Sequence, residues 1–419
     1  MNKPIPVNVN CDNDSGWLTV EQARSRMCDS VNIVDGFERV AIRDSLNRIL
    51  AEDVISPINV PPYDNSAMDG YAVLTSDIPS SGQTTLKVTG ESFAGIPFTG
   101  EVKSGETIRI MTGAKIPTGA DCVIMQEQVQ RDGDIISIGS GHTKNQNIRF
   151  IGEDIKQGGA ALTPGKKIDA AELGLLASLG IPEVTVKRKL RVAFFSTGDE
   201  LRAVGETLGE GQIYDSNRYT IYGMLKRLDV ELIDMGVIPD DRQAIEDAFN
   251  TAASLADAVI TSGGVSVGDA DYVKETLDKL GAINFWKISM KPGKPLAFGK
   301  VNHATFIGLP GNPVSVMATF YQFALPALQR MMGQTDVEPV IVKVPCKSLL
   351  KKRPGRTDFQ RGILTRNENG ELVVDGAGMQ ASHILSGMSK ANCFIILPAE
   401  SGNIEAGSLV NVQPFNGLF

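Results

Sequence analysis

Between residues 190 and 331 short apolar runs alternate with longer amphipathic ones, and this rhythm restricts the fold more than any other feature of the chain. The strand-like runs are LRVAFFS, VELIDMGVI, DAVITS, INFWKIS and ATFIGL; the helix-like runs are NRYTIYGMLKRL, RQAIEDAFNTAASL, DYVKETLDKL and PVSVMATFYQFALPALQRMM. Apolar strands followed by helices with one apolar stripe predict a parallel-type sheet with crossover helices. Ligands of such sheets gather beyond the carboxyl ends of the strands, so the loops there are where chemistry is expected.

The rest of the chain has other textures. In residues 17–50, Thr19 is placed to cap a helix whose Val20, Ala23 and Met27 share a face. From 84 to 138 short alternating runs between glycine turns (TTLKVTG, GETIRIMTG, DCVIMQEQVQ, DGDIISIG) predict a small β unit. Helical spacing returns in ELGLLASLGI at 172–181, which makes that β unit an insertion in an N-terminal module. After 339, VIVKVP, ELVVDG, CFIILP and LVNVQP predict a β-barrel or sandwich. The expected division is an arm domain, first part, at 1–50; an inserted β domain at 51–147; the second part of the arm at 148–186; an α/β domain at 187–337; and a C-terminal β-barrel at 338–419.

Composition removes several function classes. With 41 basic against 49 acidic residues the net charge is −8, which disfavours general nucleic-acid or anionic-membrane binding. No run approaches the roughly 18 apolar residues of a membrane span, and the start lacks a signal-peptide core, so a cytoplasmic protein is expected. The 5 cysteines are scattered without a CxxC, and the 3 histidines are far apart, so neither a disulfide framework nor a zinc site is expected.

Three strand-end loops carry carboxylates: Asp199 and Glu200 after the first strand, Asp240 and Asp241 after the second, Asp269 and Asp271 after the third. Singly, each is explained by turns and helix caps; together they form an oxygen-rich rim suited to Mg²⁺ beside a phosphate. Gly263 and Gly264 would let backbone N–H groups approach an anion or a flat polar ring, although the chain has neither a GxxxxGK[ST] nor a GxGxxG pattern. In GLPGNPVSV, Asn312 stands at a cap position and Pro313 at the first helical one. Lys287, Lys291 and Lys294 lie in a proline-stiffened segment that either attracts an oxyanion or is a solvated surface. PPYDNSAMDGYAV, with Asp64 and Asp69, reads equally as a connector or as a loop that lends a carboxylate.

PPYDNSAMDGYAV, RIMTGAKIPTGAD, FSTGDEL, GQIYDSNRY, SGGVSVGDADY, WKISMKPGKP, GLPGNPVS and GRTDFQRG occur in this order along nearly the whole chain. Together they resemble the molybdopterin molybdenumtransferase family, which includes bacterial MoeA and the gephyrin E domain. The resemblance implies an elongated homodimer whose α/β domain binds molybdopterin. It also implies an activity: molybdate insertion into adenylylated molybdopterin with Mg²⁺-assisted cleavage of the phosphoanhydride and release of AMP, the adenylylated substrate being supplied by molybdopterin adenylyltransferase.

By the same resemblance Glu200, Asp271, Asp69 and Thr112 are catalytic, the last two facing the α/β domain of the other subunit. Asp199, Glu200, Asp240 and Asp271 are the expected metal ligands, with Asp240 also in ligand binding; Gly263, Gly264, Ser266, Pro310 and Asn312 receive the pterin and phosphate; Lys287, Lys291, Arg361 and Ser382 gather molybdate. Asp269 stands where relatives often carry glutamate. Two rival readings are the shorter adenylyltransferase of the same fold, which the flanking modules disfavour, and a non-catalytic scaffold, which the intact acidic and basic residues disfavour.

Overall fold

The computed structural model describes residues 16–263 and 272–415. Gly264, Ser266, Asp269 and Asp271 fall outside the described residues.

The alternating segment forms most of a seven-stranded sheet, in spatial order Trp17–Leu18, Gly281–Ile288, Pro295–Val301, Ala304–Leu309, Ala258–Ser262, Arg191–Thr197 and Glu231–Ile238. The last four strands are mutually parallel, which follows from the crossover helices between them. Pro295–Val301 runs antiparallel to both neighbours, so the sheet is mixed and not purely of the parallel type expected. The reason is local: only a short turn joins this strand to its partner Gly281–Ile288, too little chain for a crossover helix.

Alternate residues of each strand supply two cores. Phe194, Ile260 and Ile307 pack with Ile221 and Met224 of the helix Ser216–Lys226, with Val316 of Pro313–Thr319, and with Val20, Ala23 and Met27 of Val20–Ser30. Phe195, Val259 and Phe306 face the helices Arg242–Leu255 and Tyr272–Leu280, and rings of Phe195, Phe249 and Phe306 meet edge to face at 5.2 and 5.5 Å. The helix Val20–Ser30 begins at Thr19 with a reciprocal capping box to Gln22.

The N-terminal module is discontinuous in sequence. Phe37–Ala41 pairs with Glu183–Lys187, and Leu50 and Val54 share a core with Ile168, Leu176, Val184 and Val186. A six-stranded sheet lies between, in the order Cys122–Met125, Gly70–Val73, Glu106–Ile110, Gln83–Ser92, Ile135–Gly139 and Gln130–Asp132. GYAV, which the sequence leaves open between a connector and a loop that lends a carboxylate, is thus an interior strand. C-terminal to the α/β segment, the strand Thr357–Arg366 pairs with Cys393–Leu397, Leu372–Gly376 and the two-residue strand Met290–Lys291, which ties that sheet to the α/β segment. Among the described residues no helix is long and apolar enough to cross a membrane.

Candidate functional site

Three parallel strands end side by side. Gly263 N–H donates to the Leu309 carbonyl at 3.3 Å, and a Cβ on Gly263 would stand 2.9 Å from the Thr197 carbonyl oxygen. The residue also has φ +92°, so glycine is required there on both steric and conformational grounds. The turn after Leu309 closes over the same place: a Cβ on Gly311 would lie 4.0 Å from the Gly263 Cα.

Asn217 ties two of these ends. From the first turn of the helix Ser216–Lys226 its Nδ2 donates to Ser262 Oγ at 2.8 Å and to the Gly311 carbonyl at 2.7 Å. Asp215 caps that helix, Oδ1 accepting from Arg218 N–H at 3.0 Å, an interaction of about 1 kcal/mol. Ser196 Oγ, Asp215 Oδ2 and Asn217 Oδ1 are buried without a hydrogen-bond partner among the described residues. An unpaired buried polar group costs roughly 1–3 kcal/mol, so a polar floor of this kind is built to meet a water or a ligand atom.

Asp199, Glu200 and Asp240 are neighbours at the rim. Asp199 Oδ1 accepts from Asp240 N–H at 3.1 Å, and the Glu200 carboxylate folds back over Gly198, where a Cβ would stand 2.6 Å from Oε2. The Asp240 carboxyl has its pKa raised, first by burial and then by the negative charges of Asp199 and Glu200. Its neighbour Asp241 is accounted for by capping, since it accepts from Ala244 N–H at 2.9 Å at the start of Arg242–Leu255. Among the described residues no three carboxylate, His or Cys side chains form a preformed metal cage.

Asn312 occupies the N-cap with Pro313 following, yet its side chain makes no capping hydrogen bond. Among the described residues the exposed amide has no hydrogen-bond partner, which is unusual for an asparagine at this position. Val314 N–H donates instead to the Ser382 carbonyl at 3.1 Å, so the segment carrying Ser382 is seated on this helix start beside Pro310.

Of the four residues expected to gather an oxyanion, Arg361 and Ser382 come together at one segment, and among the described residues no hydrogen bond or ion pair joins Lys287 or Lys291 to them. Arg361 is 1% exposed, and its guanidinium donates to the carbonyls of Met379, Ala381 and Ile384. It therefore supports the Ser382 segment from below. Lys287 is exposed on Gly281–Ile288. Lys291 instead lines a cavity of about 570 Å³ with Lys351, Lys352, Arg353, Arg356, Asp358 and Asn403. Lys294 stacks its ammonium over Trp17 at 4.7 Å.

Asp69 and Thr112 form a separate unit on the six-stranded sheet. Both are exposed, and Asp69 Oδ1 accepts from Thr112 N–H and from Thr112 Oγ1, each at 2.7 Å. These bonds, the backbone one foremost, hold the Asp69 carboxyl below its ordinary pKa. Among the described residues no hydrogen bond or ion pair joins this pair to the carboxylate rim. Asp215 and Asn217 do not stand out in the sequence, although GQIYDSNRY carries them; the D-S-N start of a helix reads as a cap, and only the sheet shows where the asparagine reaches.

Fold and site together define an α/β ligand-binding protein, its carboxylate rim flanked by β modules. Comparison with known proteins gives the family. The MoeA N-terminal region (domain I and II) matches residues 18–180, the probable molybdopterin binding domain 193–330, and the MoeA C-terminal region (domain IV) 343–415. A molybdopterin molybdenumtransferase of Haemophilus influenzae is 51% identical, covering 96% of this chain and 99% of its own. Gephyrin of Dictyostelium discoideum is 34% identical over 93% of this chain and 61% of its own. The crystal structure of a molybdopterin biosynthesis moeA protein from Pyrococcus horikoshii OT3 superposes with a TM-score of 0.80 at 30% identity, covering 95% of this chain and 100% of that one. The chain belongs to the molybdopterin molybdenumtransferase (MoeA) family.

Proposed function

We propose that the chain carries out the reaction its relatives are named for, moving molybdenum onto molybdopterin, with adenylylated molybdopterin and molybdate as substrates and AMP as the released product. The observation that carries the reading is the rim itself. A glycine turn, a polar floor and three neighbouring carboxylates meet at the strand ends of the segment that matches a molybdopterin-binding domain.

In this reading Gly263, Pro310 and Asn312 receive the pterin and its phosphate, as would Gly264 and Ser266 by sequence, with Asn217 holding the two turns in register. Asp199, Glu200 and Asp240, joined by Asp271 by sequence, would hold a hard cation, because burial and the charges of Asp199 and Glu200 raise the pKa of Asp240 and a positive charge there would offset that repulsion. A Mg²⁺ there would neutralise the anhydride and polarise its phosphorus. Glu200, Asp271, Asp69 and Thr112 are assigned to the chemistry, Glu200 orienting the attacking oxygen. Arg361 acts by fixing the Ser382 segment, while Lys287 and Lys291 supply exposed positive charge to an incoming dianion.

Among the described residues no hydrogen bond or ion pair joins Asp69 and Thr112 to the rim of their own chain, which supports a homodimer in which each N-terminal sheet completes the partner's site. We place the protein in the cytoplasm, after the adenylyltransferase that supplies its substrate. The five-segment division made from sequence serves as the working domain scheme. The test is AMP release from adenylylated molybdopterin with Mg²⁺, with and without molybdate, while molybdenum incorporation is followed. Molybdate-dependent release supports the transferase; tight ligand binding without turnover would replace it with the scaffold reading.

A further inference from the structure

Two aspartates are buried among the described residues, Asp358 at 4% exposure and Asp215 at 2%. Asp358 has a cation in reach, with Lys291 Nζ 3.7 Å from its Oδ2. Asp215 forms no ion pair among the described residues: Oδ1 accepts from the Arg218 backbone N–H at 3.0 Å, and Oδ2 has no hydrogen-bond partner. The Arg218 guanidinium is committed elsewhere, its Nε donating to Asp234 Oδ1 at 2.7 Å. A helix start offers roughly half a positive charge, so the Asp215 carboxylate keeps a buried charge that its own helix offsets only in part.

The sheet sets two more oxygens beside it. Ser196 and Ser262 are register partners on adjacent parallel strands, so both side chains leave the sheet on one face, the face that carries Phe194 and Ile260 under the helix Ser216–Lys226. Ser196 is 1% exposed, and its Oγ has no hydrogen-bond partner among the described residues. Asn217 Nδ2 donates to Ser262 Oγ at 2.8 Å and to the Gly311 carbonyl at 2.7 Å. A carbonyl can only accept, so the orientation of this amide is fixed, and Oδ1 is its buried, unpartnered atom.

The three orphaned atoms are a carboxylate oxygen, an amide oxygen and a hydroxyl, and two of them can only accept. Acceptors grouped in a buried place call for a donor or a cation among them. A water would satisfy the hydrogen bonds and leave the charge, whereas a monovalent cation answers both. Mg²⁺ keeps several waters, which suits the open rim of Asp199, Glu200 and Asp240 and not this enclosed place.

We propose that Ser196 Oγ, Asp215 Oδ2 and Asn217 Oδ1 form a binding site for a monovalent cation, potassium or sodium, distinct from the Mg²⁺ of the rim. Bound there, the ion would tie the start of the helix Ser216–Lys226 to the strand end at Ser196 and, through Asn217, to Ser262 and the turn at Gly311. It would stiffen the turns that receive the ligand without touching the ligand. Such a site stands whether or not the chain transfers molybdenum.

The experiment compares melting of the full chain, followed by circular dichroism with EDTA present, in potassium, sodium and choline chloride at one ionic strength. The wild type should melt about 2–4 °C higher in at least one of the alkali-metal salts than in choline. It should also broaden the sodium NMR line, and potassium should reverse the broadening. Asp215→Asn keeps an oxygen for the Arg218 N–H and supplies its own donor in place of Oδ2, so it should melt equally in all three salts and leave the sodium line sharp. A carboxylate with a capping role alone would show no such loss of cation dependence. Ser196→Ala should shrink the shift, and it carries the test if Asp215→Asn does not fold. Asp241→Asn, at the cap of Arg242–Leu255, is the control and should keep the wild-type response. Equal melting of the wild type in all three salts would mean an ordered water in this place and overturn the proposal, as would an undiminished cation response in the folded variants at Asp215 or Ser196. AMP release could still depend on molybdate in that case, so failure of this site and failure of the transferase reading are told apart.

Discussion

Asp69 and Asp240 are both exposed aspartates assigned to one reaction, yet the protein treats them in opposite ways. Asp69 is stabilised as an anion by the backbone and hydroxyl of Thr112, whereas Asp240 is pushed toward neutrality by burial and by two neighbouring acids. The first carboxylate is complete within its own sheet and has its orientation fixed. The second is incomplete, and its surroundings become favourable only when positive charge arrives. A pre-set group and a group awaiting a ligand are what a site assembled from two modules would require.

The largest expected effect breaks the comparison on the Asp240 side. Asp240→Asn should cut Mg²⁺-supported AMP release by about 10²-fold or more, the scale for losing one electrostatic element of a polar active site. Asp69→Asn should also be impaired. If each site spans two subunits, co-refolding the two variants should restore roughly a quarter of wild-type activity, because half the dimers are mixed and each of those has one intact site. Steady-state assays of the mixture decide the matter: no recovery would place both aspartates in one chain's site.

Next in size is the floor that positions the turns. Asn217→Ala removes both hydrogen bonds to Ser262 and Gly311, and a loss of about 1–2 kcal/mol in ligand affinity is expected, near tenfold in KM with a smaller change in kcat. An equal fall in kcat and kcat/KM would show instead that Asn217 acts on the transition state.

Asn217 also shows where sequence reading stops. The strands around the site were legible because double-sided burial demands unbroken apolar runs, and Thr19 with Val20, Ala23 and Met27 was legible because a cap and one helical face are local patterns. Gly70–Val73 was hidden inside a motif dense in turn formers, and Pro295–Val301 behind a lysine–proline turn. Thr357–Arg366 looks too polar for an interior strand, but Asp358, Gln360 and Arg361 are buried because each finds a partner from a distant segment. The same kind of long-range partner commits the Arg361 guanidinium to the carbonyls of the Ser382 segment, which the sequence does not show. Carboxylates at strand ends can be counted from sequence; which of them cap a helix, as Asp241 does, and which, like Asp240, have no side-chain hydrogen bond among the described residues, depends on contacts across the sheet.

Smaller shifts sharpen the contrast by titration. Carboxyl ¹³C NMR of the metal-free protein should place the Asp69 midpoint below that of Asp240. Thr112→Val removes the hydroxyl donor but keeps the backbone N–H, which is the larger cause, so the Asp69 midpoint should rise only part of the way to its ordinary value. Asp199→Asn with Glu200→Gln should lower the Asp240 midpoint without abolishing its elevation, because burial is the first cause there. Full normalisation in either variant would mean that the order of causes is wrong.

The smallest effects concern stability, and here the two aspartates should differ in sign. Asp69 has a folded pKa below the unfolded value of about 3.9, so its contribution is present above that value and is lost as pH falls through the folded pKa. Asp69→Asn should therefore lower Tm at neutral pH, and the deficit should vanish in acid. Asp240 has a folded pKa above the unfolded one, so its carboxyl favours folding only below the unfolded pKa, and that advantage disappears as pH rises through the folded value. Asp240→Asn should then raise Tm at neutral pH, with the gain shrinking on acidification. Melting curves of both variants across pH 3 to 7 without added Mg²⁺ test this directly. A substitution that makes the protein more stable and less active marks a residue kept for chemistry at a cost to the fold, whereas a fall in neutral Tm for both variants would make Asp240 a structural carboxylate like Asp241.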